Sequence, residues 1–204
     1  MNWKTLTWDK LKQDNNISIE YSKQLKKIKQ WKPQKCDYSA IKHNYAKWMR
    51  KRNEIGGAIY LDMEENKVYI TKIVKGEYGR VSTESISAIP SLITFHTHPN
   101  DIMGYFSGAD IHSIVVSYAQ QKYIWHILVS SIGLLVAKPG NKILKATTPY
   151  MSKDEAAKKD TIQIKKYNDQ IDAIYLNADS DHIINRQMLK FYRKIGLTVI
   201  VIKI

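Results

Sequence analysis

The residues with the most evident chemical capacity are His96-Thr97-His98-Pro99 and, after a loop, Ser107-Gly108-Ala109-Asp110. In an extended chain, positions i and i+2 project to one face, so His96 and His98 can reach a single metal ion. Pro99 stops the strand. Ser107 then starts a helix and places Asp110 in its first turn. Two imidazoles at a strand end and a carboxylate at a helix start can complete a three-ligand site. Two His and one carboxylate, with water in the open position, is the usual arrangement of catalytic Zn²⁺. Such a site lowers the pKa of its water to about 7 and polarises a carbonyl. It lacks only a base, and Glu54, at a strand entrance just ahead of Gly56 and Gly57, is the candidate.

Each piece has an ordinary structural alternative. Ser107 and Asp110 form an N-cap pair in their own right, and a carboxylate in a first helical turn is favourable without any metal. His96 and His98 taken singly are one core and one surface histidine; the shared face and Asp110 are what join them. An acidic residue at a strand start, such as Glu54, is commonplace. The other histidines carry less: His43 is on a surface-like helix, His112 turns away from Asp110 on the same helix, and His126 reads as a satisfied core residue within a strand. Asp179-Ser180-Asp181-His182 reads as a turn and helix N-cap rather than a second metal tract. Cys36 has no positioned His and is no nucleophile.

The pattern of Glu, then H-x-H-P, then S-x-x-D closely resembles the JAMM (MPN-plus, JAB) metallopeptidase family. The likeness extends to the context, a basic-ended helix followed by a strand beginning EIGGAIY, and covers roughly residues 39–147. It implies a cytidine-deaminase-like MPN/JAB fold in which His96, His98 and Asp110 bind Zn²⁺. Glu54 would be the general base, and Ser107 would hold the water or stabilise the oxyanion. The implied activity is hydrolysis of a peptide or isopeptide bond, commonly the link between ubiquitin or a ubiquitin-like protein and a lysine.

The elements that must position these residues can be traced along the chain. Tyr21, Leu25 and Ile28 form a helical stripe that Pro33 ends, and Ser39 opens a helix with Ile41, Tyr45, Trp48 and Met49 on one face. Residues 54–62 and 67–74 are β-like around a turn at Glu64-Glu65-Asn66, and 91–97 is a third strand. Ser107 to Gln121 is helical, 123–130 and 132–138 are strands, and Pro139-Gly140-Asn141 is expected to turn into another strand. Ser152 with Glu155 reads as a capping box before a helix, 172–177 as a strand, 184–195 as a helix ended by Gly196, and 197–203 as a final strand. Strand, helix and strand there suggest a crossover with parallel strands. The expected class is α/β (α+β), a mixed β-sheet flanked by helices. Its parts are a basic extension (1–38), a metallopeptidase-like domain (39–150) and a C-terminal α-β-α-β segment (151–204).

With 204 residues, 44% hydrophobic and 25% charged, the chain is long enough to bury a core of its own. A single Cys points to a reducing, cytoplasmic setting, and neither a membrane span nor a secretory signal is expected. The net charge of +13 is unevenly placed. Residues 1–52 hold fourteen Lys and Arg against four Asp and Glu, together with four of the five Trp. That segment could dock an acidic partner, grip nucleic acid through phosphates and stacking, or simply pack on the domain. The competing function is therefore a binding or assembly protein on the same fold, with the basic N-terminus as its docking arm.

Overall fold

The computed structural model describes residues 6–82, 85–86, 90–99, 103–120, 124–146 and 153–204. Among them six strands form one mixed sheet flanked by seven α-helices. Helices α1 (Trp8–Gln13) and α2 (Asn15–Lys29) are N-capped by Thr7 and Asp14. The Tyr21–Ile28 stripe of α2 faces the core, and Pro33 opens a short 3₁₀ turn that ends the segment. Helix α3 (Ser39–Met49) leads into the hairpin of β1 (Ile55–Asp62) and β2 (Lys67–Lys75). Asp62 closes that turn by accepting from the amides of Glu64 and Glu65, and Asn66 takes a left-handed φ of 51°. Then follow β3 (Ile93–Thr97), α4 (Gly108–Ala119), β4 (Trp125–Ser130), β5 (Gly133–Pro139), α5 (Asn141–Ala146), α6 (Lys153–Asn177), α7 (Asp181–Ile195) and β6 (Leu197–Ile202).

The strand order is β2-β1-β3-β4-β5-β6. Only the β3–β4 pair is parallel, joined through α4, while the other four pairs are antiparallel. Period-two alternation divides the strand side chains between two apolar layers. Ile93, Phe95, Ile127, Val129, Leu134 and Val136 pack against the N-terminal helices, while Leu128, Leu135 and Ala137 pack against α4, α6 and α7.

Trp31 and Trp48 of the basic segment belong to that first layer. Trp48 stacks on Phe95 with centroids 5.2 Å apart, and Trp31 meets Trp125 edge-on at 5.6 Å. The Trp125 indole N–H donates to the Ile28 carbonyl. Trp8 packs against Tyr21, and Trp3 lies outside the described residues.

Two expected strands are helical. Asn141–Ala146 forms α5, which buries Ile143. Residues 172–177 are the last turns of the 25-residue α6. Tyr167, Ile171, Ile174 and Tyr175, at i, i+4, i+7 and i+8, make one continuous helical stripe on the second layer, and this periodicity overrides the local β-like composition. The C-terminal segment is therefore α-α-β, without a parallel crossover. Gly196, at φ 90°, ends α7, and β6 returns antiparallel to β5 as a sheet edge. Ser152 of the expected capping box lies outside the described residues. Among the described residues no helix is long and apolar enough to cross a membrane.

Candidate metal centre

Glu54, His96, His98, Ser107 and Asp110 converge at the end of β3, on the α4 side of the sheet. Glu54 immediately precedes β1, and its backbone is held by two bonds to the loop after β2: its N–H donates to Glu77 O, and its carbonyl accepts from Gly76 N. The amide of Ile55 donates to Thr97 Oγ1 at 2.9 Å, which fastens the start of β1 to the end of β3. Gly57 is required in this arrangement, because a Cβ there would lie 2.0 Å from the Lys72 carbonyl oxygen and 2.8 Å from the Phe95 ring. Just beyond β3, His98 continues the ladder by donating its N–H to Val129 O at 2.8 Å.

The helix start supplies the carboxylate. Ser107 Oγ accepts from Asp110 N at 3.2 Å, while Asp110 Oδ2 accepts from both the Ser107 amide and its hydroxyl at 2.8 Å. The capping box and the site are thus built from the same two residues. Gly108, between them, is pressed against α6 and donates its N–H to Asn168 Oδ1 at 2.7 Å.

The acceptor atoms meet closely. His96 Nε2 lies 3.1 Å from His98 Nε2 and 3.3 Å from Asp110 Oδ1, and His98 Nε2 lies 3.5 Å from Asp110 Oδ2. Glu54 Oε1 is 3.8 Å from His98 Nε2. Glu54, His96 and His98 are all buried and offer ligand atoms within 4.8 Å of one another, a spacing able to hold a metal ion. Tetrahedral ligands about 2.0–2.1 Å from an ion stand roughly 3.3–3.4 Å apart. The His96–His98 and His96–Asp110 Oδ1 distances are close to that separation, and His98 faces the other carboxylate oxygen, Oδ2, at 3.5 Å.

Proton assignment agrees. His98 Nδ1 is 2.7 Å from the Met103 carbonyl, which can only accept, so Nδ1 carries a proton and, whenever the ring is neutral, the lone pair is on Nε2 and faces the cluster. Burial pulls the His98 imidazole down, but Asp110, Glu54 and the Met103 carbonyl outweigh it and hold its pKa above the ordinary value. Burial pushes Asp110 up, but the two imidazoles outweigh it and keep its pKa well below the carboxylate range. Burial raises Glu54, against the opposing pull of His96 and His98. A set of acceptors with one base-like carboxyl beside it suits a cation. The residues lie in a cavity of about 710 Å³ that is also lined by Arg80, Val81, Ile86 and Met103.

His126 is a buried strand residue with both ring nitrogens paired, as expected, but the sequence does not reveal its contact with His96. Its Nε2 is 2.6 Å from His96 Nδ1 and its Nδ1 is 2.7 Å from Thr94 Oγ1. Burial, and then the neighbouring His96, hold it well below the usual imidazole pKa. The available signal was parity: Thr94 and His96 share a strand face, but the register of a parallel partner cannot be read from sequence. His112 points away as expected and meets Asp160 of α6 at 2.8 Å. Ser180 caps α7, as its turn-like surroundings predicted.

No protein-family model matches this chain, and no curated protein matches it.

Proposed function

We propose that the protein is a zinc-dependent hydrolase of peptide or isopeptide bonds, of the JAMM type, acting on a ubiquitin-like conjugate. The observation that carries this proposal is the convergence of His96 Nε2, His98 Nε2 and Asp110 Oδ1 with the buried Glu54 carboxylate beside them. His96, His98 and Asp110 would hold the ion. When bound, zinc supplies Lewis acidity, polarising the scissile carbonyl and acidifying water.

The chain's own residues do the rest. Glu54, shielded from solvent and raised by burial, takes the proton of the attacking water at a carboxylate oxygen. The water oxygen bonds to the carbonyl carbon as the C=O π pair moves onto oxygen; when that oxyanion collapses the C–N bond breaks, and Glu54 returns the proton to the leaving amine. The Ser107 hydroxyl, which rests on Asp110 Oδ2, turns to donate a hydrogen bond to the developing oxyanion.

Glu54 also borders a second groove, of about 700 Å³, rimmed by Lys47, Arg50, Lys51, Arg52 and Lys75. These cations suit an acidic polypeptide segment entering beside the site. Stacking of single-stranded nucleic acid finds less support, since Trp31 and Trp48 of the basic segment are committed to the core.

The test is turnover of isopeptide-linked ubiquitin-like conjugates by wild type and Glu54→Gln. Cleavage by wild type that Glu54→Gln abolishes, with zinc content unchanged, supports the proposal. A Glu54→Gln variant as active as wild type refutes the base.

A further inference from the structure

We infer that His126 is a positioning residue for the metal centre, giving the Nδ1–H of His96 the buried acceptor it needs when Nε2 binds a cation. This inference rests on the metal-centre proposal above. It comes from the register of the one parallel strand pair: Thr94 lies opposite His126 and His96 opposite Leu128, which sets all three polar side chains on the α4 face of the sheet. His126 bridges the other two, with Nδ1 2.7 Å from Thr94 Oγ1 and Nε2 2.6 Å from His96 Nδ1. All three residues are buried, and Phe106 packs against both imidazoles.

The chain of hydrogen bonds can run in two directions, with different consequences. If Thr94 donates to His126 and His126 donates to His96 Nδ1, the proton of His96 sits on Nε2, where it points at Asp110 Oδ1 and blocks ligation. If His96 Nδ1–H donates to His126 Nε2 and His126 Nδ1–H donates to Thr94 Oγ1, the Nε2 lone pair of His96 is free for the ion. Thr94 tolerates both directions, because a hydroxyl donates and accepts. His126 therefore gives His96 an acceptor in its ligating form, with no buried ring nitrogen left unpaired. The two metal-facing histidines are oriented differently: His98 by a backbone carbonyl, which fixes its tautomer outright, and His96 by a side-chain relay. An outer partner that accepts a ligand's second N–H raises its basicity and fixes its ring, and losing one weakens metal binding by about 10–100-fold.

The experiment measures zinc dissociation constants on the full chain, stripped of metal, by competition with a chromophoric chelator. His126→Leu removes the acceptor; His126→Gln places an amide oxygen near the position of Nε2 and restores it. The expected result is roughly 10–100-fold weaker binding for the Leu variant and an affinity within about threefold of wild type for the Gln variant. In zinc-loaded wild type and Gln variant, the His96 Nδ1 proton is a slowly exchanging NMR resonance; in the Leu variant it is lost. Equal affinity of the Leu variant and wild type overturns the inference, as does a Gln variant as weak as the Leu variant. Should His126→Leu fail to fold, the near-isosteric Thr94→Val takes its place: severalfold weaker zinc binding supports the relay, and unchanged affinity overturns it. Wild type that binds no zinc refutes the metal centre itself, an outcome read without any His126 variant.

Discussion

Gly108→Ala tests how the C-terminal helices support the centre. Gly108 is the first residue of α4, two before Asp110, at the point where α6 crosses the helix start. A Cβ there would lie 2.5 Å from the Ile164 carbonyl oxygen and 2.7 Å from Asn168 Oδ1. The first of these is backbone, so α6 has to move away as a unit. Overpacking of this kind costs about 1–3 kcal/mol. Displacing Asn168 also weakens the bond from Gly108 N–H, worth about 1 kcal/mol. Alanine's better helix propensity returns at most about 1 kcal/mol. The net expectation is a loss of roughly 1–3 kcal/mol, which for a chain of this size lowers Tm by about 2–4 °C per kcal/mol. Urea unfolding of metal-free protein reads the stability, and chelator competition on the same samples should show weaker zinc binding, because Asp110 rides on the displaced turn. Stability equal to or above wild type would refute the close approach of α4 and α6, and with it the support of Asp110 by the C-terminal segment.

Other consequences are equally direct. Trp48→Ala empties a buried site stacked on Phe95, between Thr94 and His96 in sequence, and should cost about 3–5 kcal/mol in urea unfolding; a loss below about 1 kcal/mol would contradict the packing. Ser107→Ala should retain zinc, lose about 1 kcal/mol of capping energy, and reduce turnover by about 10²–10³-fold. Unchanged turnover would remove Ser107 from the mechanism. Cys36 is half-buried, and burial followed by the neighbouring Asp37 carboxylate pushes its thiol up to about 12. At pH 8 its alkylation should then run about 30-fold slower than that of an ordinary free thiol, and should keep rising with pH well above 9, where an ordinary thiol levels off. A rate matching a free thiol would place Cys36 in solvent.

Local signals in the sequence were sufficient wherever they agreed with packing. Ser107 and Asp110 announced a helix start by their capping chemistry, and the same geometry offers the carboxylate to the histidines. The i, i+2 spacing of His96 and His98 survived because the turn to the α4 side is dictated by Phe95, which the N-terminal layer claims. Gly196 marked the end of α7 through the left-handed backbone it adopts. The failures lay where composition and period disagree. The run DAIYLN is β-like in isolation, yet Tyr167, Ile171, Ile174 and Tyr175 continue a helical stripe that began earlier. Asn141 follows a Pro-Gly turn that could lead either way, and contact of α5 with the Gly196 corner decides for helix: Gly140 N donates to Gly196 O, and the Lys142 ammonium to Lys194 O. The place of His126 depends on pairing between strands thirty residues apart, which no single-chain pattern encodes. The lysine-rich N-terminus likewise showed its charge but not that Trp31 and Trp48 lie in the core.

The central claim is that His96, His98 and Asp110 form a zinc site with Glu54 as the base beside it rather than a ligand. Elemental analysis of wild type, Asp110→Ala and Glu54→Gln, each supplied with zinc and then desalted, tests it most directly. The account predicts about one zinc per chain in wild type and Glu54→Gln and almost none in Asp110→Ala. Wild type without zinc would contradict the site, and zinc kept by Asp110→Ala but lost by Glu54→Gln would make Glu54 the third ligand and overturn the division of roles.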